Sequence, residues 1–172
     1  MKKVKFLIII FVVAALKTAC FQIENVSEIP RVEFISFEIF DSIDYLQNRG
    51  KGGRLKFRFE DGDGDIGILR TTDNDTTNLK LTLYRKIDGE MQPVTDGNDP
   101  LLASNYRIPF LRTIGQSKVV RGTIDVVFFY FFYNQADTIK YSFFITDRAG
   151  NQSNIEYTAE IIVSQNGIYR KE

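Results

Sequence analysis

The chain has 172 residues with 22 basic and 22 acidic side chains, a formal net charge of zero, no histidine and one cysteine. The lack of histidine excludes Ser-His-Asp and Cys-His catalysis and ordinary zinc sites, and a single cysteine excludes an internal disulfide. The folded part therefore depends on its apolar core, for which 15 Phe and eight Tyr supply large side chains.

The N-terminus has the pattern of a secretory signal that ends at a lipidated cysteine. A basic start, Met1 to Lys5, precedes an apolar run of eleven residues, 6–16, and the small residues Thr18 and Ala19 lead to Cys20. Eleven apolar residues are too few for a permanent bilayer span, which needs about 20. We therefore predict a signal peptide at 1–19 and lipidation at Cys20. The alternatives are a cleaved signal without lipid, which leaves an odd free thiol, and an uncleaved anchor.

Cleavage before Cys20 removes four lysines and leaves 153 residues with 18 basic and 22 acidic side chains, a formal charge of −4. A nucleic-acid partner is not expected, because it requires a basic surface. Residues 20–30 are predicted to form a lipid-attached tether and 31–172 a single domain.

The domain shows the two-residue period of β-strands. Four alternating stripes carry this period: Leu55, Phe57 and Phe59; Leu79, Leu81 and Leu83; Ile139, Tyr141, Phe143 and Ile145; and Ile155, Tyr157, Ala159, Ile161 and Val163. Further strands are predicted at 106–112, at 118–133 and near 32–40, where a phase change at Phe34-Ile35 indicates a bulge or a strand that switches sheets. The pattern favours an all-β fold, a single antiparallel immunoglobulin-like or fibronectin-III-like β-sandwich of about seven or eight strands.

The breaks between the stripes have turn chemistry. Asp88-Gly89 predicts a hairpin, 48–53 a glycine-rich loop, and 96–100 an irregular connection. Only 39–46 has helical spacing, through Ile39, Ile43 and Leu46, and this is a weak indication of a helix.

An acidic box, residues 60–67, is the sharpest local motif. Asp61, Asp63 and Asp65 alternate with glycines directly after a strand, and Ca²⁺ prefers such oxygen ligands on a backbone able to wrap around the ion. An EF-hand is not expected, because Ile66 stands where its invariant glycine belongs.

The predicted topology adds further candidate ligands to the acidic box. In an immunoglobulin-like domain the B–C and F–G loops share one end, which would bring Asp147 to the box, and Asp73 and Asp75 follow on the same B–C connection. Six carboxylates gathered without a cation would repel one another. The alternative is a solvated turn without metal, with Asp147 capping the amides of its own hairpin.

Six consecutive aromatic residues, 128–133, place rings on both faces of a strand. One face fills the core, and the other is covered by the chain's own loops, by a glycan or protein partner, or by lipid headgroups. Phe129, Phe131 and Tyr133 are the candidate partner surface.

The order of the motifs also resembles that of a known family. Phe59 to Gly67, Ile108 to Leu111, Gly122 to Ile124 and Thr146 to Asn154 together resemble small lipoproteins of Bacteroidota-type bacteria. The resemblance covers most of the mature chain, and the acidic box and the Asp-Arg-Ala-Gly-Asn turn are its most specific parts. It implies a lipid-anchored immunoglobulin-like domain at the cell envelope and brings no activity with it.

The combined expectation is a non-catalytic binding or structural module, anchored by lipid at the outer membrane, with Ca²⁺ at one loop end. Its partner would be an envelope protein or a polysaccharide, and which face of the membrane it occupies stays open. The alternatives are a hydrolase that uses carboxylates of the same loop end on envelope or dietary glycans, and a metal-free structural subunit of an envelope complex.

Overall fold

The computed structural model describes residues 26–69, 76–111 and 118–171. Cys20, Asp73 and Asp75 lie outside these ranges. The described residues contain no helix, and their strands are β1 Arg31–Ile43, β2 Arg49–Asp61, β3 Leu79–Ile87, β4 Glu90–Pro93, β5 Val120–Tyr130, β6 Thr138–Ile145, β7 Glu156–Tyr157, β8 Ile161–Ile162 and β9 Gly167–Tyr169. The predicted all-β class is confirmed, with nine strands in the described ranges, three of them of only two or three residues.

The strands form two sheets in which every pair of named strands is antiparallel. One sheet has the order β5-β2-β1-β9, and the other has the order β4-β3-β6-β7 with β8 also paired to β6. Among the described residues there is also no helix of the length and apolarity that a bilayer span requires.

The core lies between the two sheets and contains several aromatic rings in contact with one another. Phe37 of β1 meets Tyr141 of β6 at a ring-centroid distance of 5.9 Å, and Phe57 of β2 meets Phe143 of β6 at 4.9 Å. The predicted stripes of β2 and β6 are buried throughout, and β3 buries Leu79 and Leu83. The two-residue period therefore identified the inward faces of these three strands correctly.

The predicted bulge in the first strand is confirmed, because the register of β1 against β2 shifts between Phe34 and Ser36. The extra residue lets Phe34 and Phe37 both point into the core although their spacing is odd. The weak helical indication at 39–46 is wrong. Ile39 is buried within β1, where the hydrophobic contacts of the sheet outweigh a spacing that also fits a helix.

The glycine-rich loop predicted at 48–53 is wrong, since β2 already begins at Arg49. A Cβ on Gly53 would stand 2.8 Å from ring atoms of both Phe37 and Tyr130, and one on Gly52 would stand 2.3 Å from the ring of Phe40. These glycines leave room for aromatic rings rather than forming a turn.

The continuous strand predicted at 155–163 is also wrong. Ile155 and Tyr157 are exposed, whereas Thr158 is buried, and only the short strands β7 and β8 form. The Thr158 amide donates to the Tyr141 carbonyl (2.9 Å), and its hydroxyl accepts from the Tyr141 amide (3.0 Å). The threonine hydroxyl thus takes the place of a backbone acceptor in the ladder. The alternation of residues that face the core changes phase at Thr158.

In the described part of the predicted strand at 106–112, residues 106–111, only isolated bridges form. Tyr106 pairs with Leu79 and Pro109 with Ile68. Pro109 has no amide hydrogen, so a regular ladder cannot continue through it. The predicted Asp88-Gly89 hairpin is confirmed between β3 and β4, with φ of 52° and 88° at its two central residues.

Candidate metal centre

Three aspartates of the acidic box converge where β2 ends. Asp61 is the last residue of β2, and Asp63 and Asp65 follow in the loop. One carboxylate oxygen from each lies within 4.8 Å of the others. Asp61 continues the inward alternation of Leu55, Phe57 and Phe59, so the strand itself drives this carboxylate into the interior.

The buried oxygens of this cluster have no hydrogen-bond partners. Asp61 is 0% exposed, and both of its carboxylate oxygens are unpartnered. One oxygen of Asp63 and one of Asp65 are also buried and unpartnered. Buried polar atoms are nearly always satisfied in native proteins, and an uncompensated buried carboxylate is among the most unfavourable groups. The arrangement is one that could hold a cation.

The electrostatics of the cluster are consistent with this conclusion. Burial, and after it repulsion from Asp63, raises the pKa of Asp61 from 3.8 to about 6. The nearby Asp65 amide lowers this pKa only in part, because it makes no hydrogen bond to either carboxylate oxygen. Burial and the charges of Asp147 and Asp63 raise the pKa of Asp65. A cation among these oxygens would reverse both effects.

The structure brings the Asp147 turn, which is distant in sequence, against the acidic box. The amides of Arg148 and Ala149 donate to the carbonyl (3.2 Å) and the carboxylate (3.0 Å) of Asp65, respectively. The Asp147 carboxylate itself accepts from the amide (2.7 Å) and the side chain (2.9 Å) of Asn151. Asp147 is therefore near the cluster and adds to its negative field, while its own oxygens stabilise the turn.

A buried asparagine that sequence reasoning missed holds the loop end together. Asn78 is 2% exposed, and its side chain donates to the carbonyls of Ile66 (2.6 Å) and Thr146 (3.3 Å) and accepts from the Ile108 amide (2.7 Å). It joins the acidic loop, the end of β6 and the segment before Pro109. No spacing or motif distinguishes Asn78 in the sequence, because all three partners are backbone groups.

Arg148 and two glycines fix the loop from the outside. The Arg148 guanidinium donates to the Gly67 carbonyl (2.7 Å) and lies 5.0 Å from the centre of the Phe110 ring. A Cβ on Gly67 would stand 2.2 Å from the Pro109 carbonyl oxygen, and the Gly62 amide donates to the Ser27 carbonyl at 3.0 Å. The acidic loop is thus held against its neighbours, including the residues that precede β1.

The other candidate residues lie elsewhere. Phe129 is 54% exposed on the outer face of the β5 sheet, Phe131 is 42% exposed just after the end of β5, and Phe128 and Tyr130 fill the core. Tyr133 follows the end of β5 and is half-buried against the core, so it is not part of an exposed strip with the two phenylalanines. Asp73, Asp75 and Cys20 lie outside the described residues and remain predictions.

Comparison with known proteins adds no family to this geometry. No family model matches the chain, and neither curated proteins nor solved structures give a match. What the loop end offers chemically is a set of hard carboxylate oxygens, the ligands that Ca²⁺ and Mg²⁺ prefer.

Proposed function

We propose that the protein is a non-catalytic lipoprotein of the cell envelope, a binding or structural module whose acidic loop end holds Ca²⁺. The observation that carries the Ca²⁺ site is Asp61, which is fully buried with both oxygens unpartnered beside the buried oxygens of Asp63 and Asp65. A bound divalent cation would supply these oxygens with the partner that no donor among the described residues provides.

The immunoglobulin-like part of the proposal is supported by the strand order. Strands β1, β2 and β5 correspond to A, B and E of that fold, and β4, β3 and β6 to C′, C and F. In that topology the B–C and F–G loops share one end. The contact between Asp65 and Ala149 joins these two loops here.

Ca²⁺ suits this site better than Mg²⁺ does. The oxygens come from one short glycine-containing segment, and Gly64 adopts a φ of 73°, so the loop curves around the cluster. Ca²⁺ tolerates irregular coordination by six to eight oxygens, whereas Mg²⁺ demands near-octahedral geometry. The ligands not supplied by the three aspartates would come from water or from backbone carbonyls.

The same geometry favours a structural ion over hydrolysis. Glycosidase carboxylates stand about 5 to 9.5 Å apart with substrate or water between them. One oxygen from each of the three described carboxylates lies within 4.8 Å of the others, which leaves less room than that arrangement needs. The ion would therefore rigidify the loop end.

The envelope location rests on the signal sequence and on the tether. Six residues, 20–25, separate the predicted cleavage site from the Val26–Pro30 segment that contacts the acidic loop through Ser27. Fully extended, six residues span about 20 Å. A lipid on Cys20 would hold the acidic end close to the membrane, and the opposite end of the domain would be the one available to an envelope protein or a polysaccharide.

The test is thermal unfolding of the full chain, purified in a polyoxyethylene detergent, in excess Ca²⁺ and in EGTA. With Ca²⁺ at about 100 times Kd the stabilisation should be about 2.7 kcal/mol. The doubly substituted variant Asp63→Asn and Asp65→Asn should lose this gain, whereas Asp88→Asn, an equal type of charge change in the exposed β3–β4 turn, should keep it. Identical midpoints in Ca²⁺ and EGTA would reject the site and favour the metal-free structural role. Glycan hydrolysis abolished by a single aspartate substitution would favour the hydrolase.

A further inference from the structure

The outer face of the β5-β2-β1-β9 sheet carries a second unusual surface, formed by aromatic rings that lie on glycines. Phe40, Gly52 and Phe129 are paired across β1, β2 and β5. The Phe40 ring occupies the space where a Gly52 side chain would be, with a ring carbon 2.3 Å from the ideal Cβ position. Beside Gly50 the Tyr130 carbonyl oxygen is nearest to the ideal Cβ position, at 2.7 Å, and a carbon of the Phe131 ring follows at 3.3 Å.

These rings form an apolar platform, defined here as Phe40, Phe129 and Phe131, in which Phe129 and Phe131 are exposed and Phe40 is half-buried. The rings of Phe129 and Phe131 are nearly parallel, with an interplanar angle of 12° and centroids 6.4 Å apart. Gly52 carries no side chain beneath the Phe40 ring, so that ring rests against the sheet. Exposed aromatic rings suit ligands that carry apolar C–H groups on one side.

A polar groove adjoins the platform on the same face. Its volume is about 310 Å³, and the polar side chains that line it are Ser36, Glu38, Arg54, Lys56, Asp125 and Arg170. This volume is at the lower end of the range of small-molecule sites. Arg54 connects the groove to the platform, since its guanidinium lies 5.3 Å from the Phe40 ring centre and also donates to Glu38 at 2.8 Å.

The charges in this groove compensate one another. Arg54 pairs with Glu38, and Lys56 stands 4.0 Å from Asp125, while Arg170 adds one positive charge. The paired side chains are roughly one third to one half exposed, so they can turn hydrogen-bond donors and acceptors toward a ligand. A surface with both kinds of group and little net charge is complementary to a neutral ligand rich in hydroxyls, each of which donates and accepts.

We propose that the platform and groove together bind a neutral polysaccharide, with sugar rings stacked on Phe129 and Phe131 and hydroxyls bonded to the Glu38–Arg54 pair. An anionic membrane would require net positive charge, and a protein interface core would be depleted of charged groups. The proposal names the partner of the binding module proposed above, but it does not depend on the Ca²⁺ site. The acidic box lies at the other end of β1 and β2.

Affinity electrophoresis tests the proposal with the full chain in a polyoxyethylene detergent, because sugar-based detergents would compete. The neutral probes are mixed-linkage β-glucan, galactomannan and soluble starch, and the anionic probe is polygalacturonate. We expect at least one neutral probe to retard the protein more than polygalacturonate does. Phe129→Ala and Arg54→Ala should each weaken that retardation by about tenfold in Kd, which is the usual effect of removing a central contact.

Two controls separate binding from folding and from the metal site. Phe132→Ala removes a ring that is 76% exposed but lies outside the platform, and it should leave retardation unchanged. Asp61→Asn should also bind normally, so a failure of the Ca²⁺ proposal leaves this one standing. No retardation by any neutral probe, or retardation equal in Phe129→Ala and wild type, would overturn the proposal. The proposal would also be overturned if the protein bound anionic phospholipid vesicles, or associated with itself, and the platform variants abolished that interaction.

Discussion

Replacing Asp61 by Asn should stabilise the metal-free protein, although Asp61 is a fully buried residue. The pKa of Asp61 is raised from 3.8 to about 6, so the folded state holds this proton more tightly than the unfolded chain does. The stability contributed by the protonated form is complete below about pH 4 and is lost as the pH rises through about 6. At 1.36 kcal/mol for each pKa unit, the loss amounts to about 3 kcal/mol above that range.

The substituted asparagine carries no charge, so the variant should escape this loss, and the new amide can donate to the unpartnered oxygens of Asp63 and Asp65. In EGTA at pH 7.5 the variant should therefore unfold about 6 to 12 °C above wild type, at roughly 2 to 4 °C per kcal/mol for a chain of this size. Saturating Ca²⁺ should raise wild type by about 2.7 kcal/mol at 100 times Kd and the variant by much less. The advantage of the variant should then nearly disappear.

The assay is urea and thermal unfolding of the full chain between pH 4 and 8, with EGTA or Ca²⁺. Wild type in EGTA should lose stability between pH 4 and 6.5, and Asp61→Asn should lose less. Asp88→Asn serves as the charge-matched control and should follow wild type under all conditions. An Asp61→Asn protein less stable than wild type in EGTA at pH 7.5 would refute the reasoning, because it would mean that the carboxylate is satisfied by partners of its own.

Three further substitutions test the scaffold and the anchor. Asn78→Ala should lower the free energy of unfolding by about 3 kcal/mol, measured in urea with EGTA, because it leaves buried backbone groups without partners. Gly53→Ala should destabilise by about 1 to 3 kcal/mol through its clash with two rings, whereas Gly97→Ala, with open space around it, should change stability by less than about 0.5 kcal/mol; equal effects would contradict the packing argument. Cys20→Ala should abolish incorporation of a labelled fatty acid and release the protein from the membrane fraction, and retained label would exclude Cys20 as the lipid site.

The sequence predicted those strands whose burial is decided by alternation alone. Strands β2, β3 and β6 each bury one face against the opposite sheet, so their apolar residues recur at a period of two. The prediction failed where a local contact outweighed the pattern. Residues 50–53 form no loop because aromatic rings need the space that the side chains of their glycines would fill. Thr158 changes the phase of the last stripe because its hydroxyl satisfies the Tyr141 amide.

The acidic box was found from its composition, but the role of Asp61 was not. The stripe Leu55, Phe57 and Phe59 extends by two residues to Asp61, so the same alternation that predicted the strand also indicated a buried carboxylate. The glycines that follow Asp61 give the whole box the composition of a loop, and this obscures the fact that Asp61 still belongs to the strand. Asn78 could not be recognised in this way, because its partners are two backbone carbonyls and one backbone amide, and residue types do not show which backbone groups a side chain will contact.

The geometry of β1 separates the two proposed sites. The strand has 13 residues, and at about 3.3 Å per residue it spans about 40 Å. Ser27, just before it, contacts the acidic loop, while Phe40, near its end, belongs to the aromatic platform. A lipid at Cys20 would thus leave the proposed Ca²⁺ site near the membrane and turn the platform outward. At this separation the effects of Asp61→Asn and Phe129→Ala should add, and strong coupling between them would contradict the placement of two independent sites.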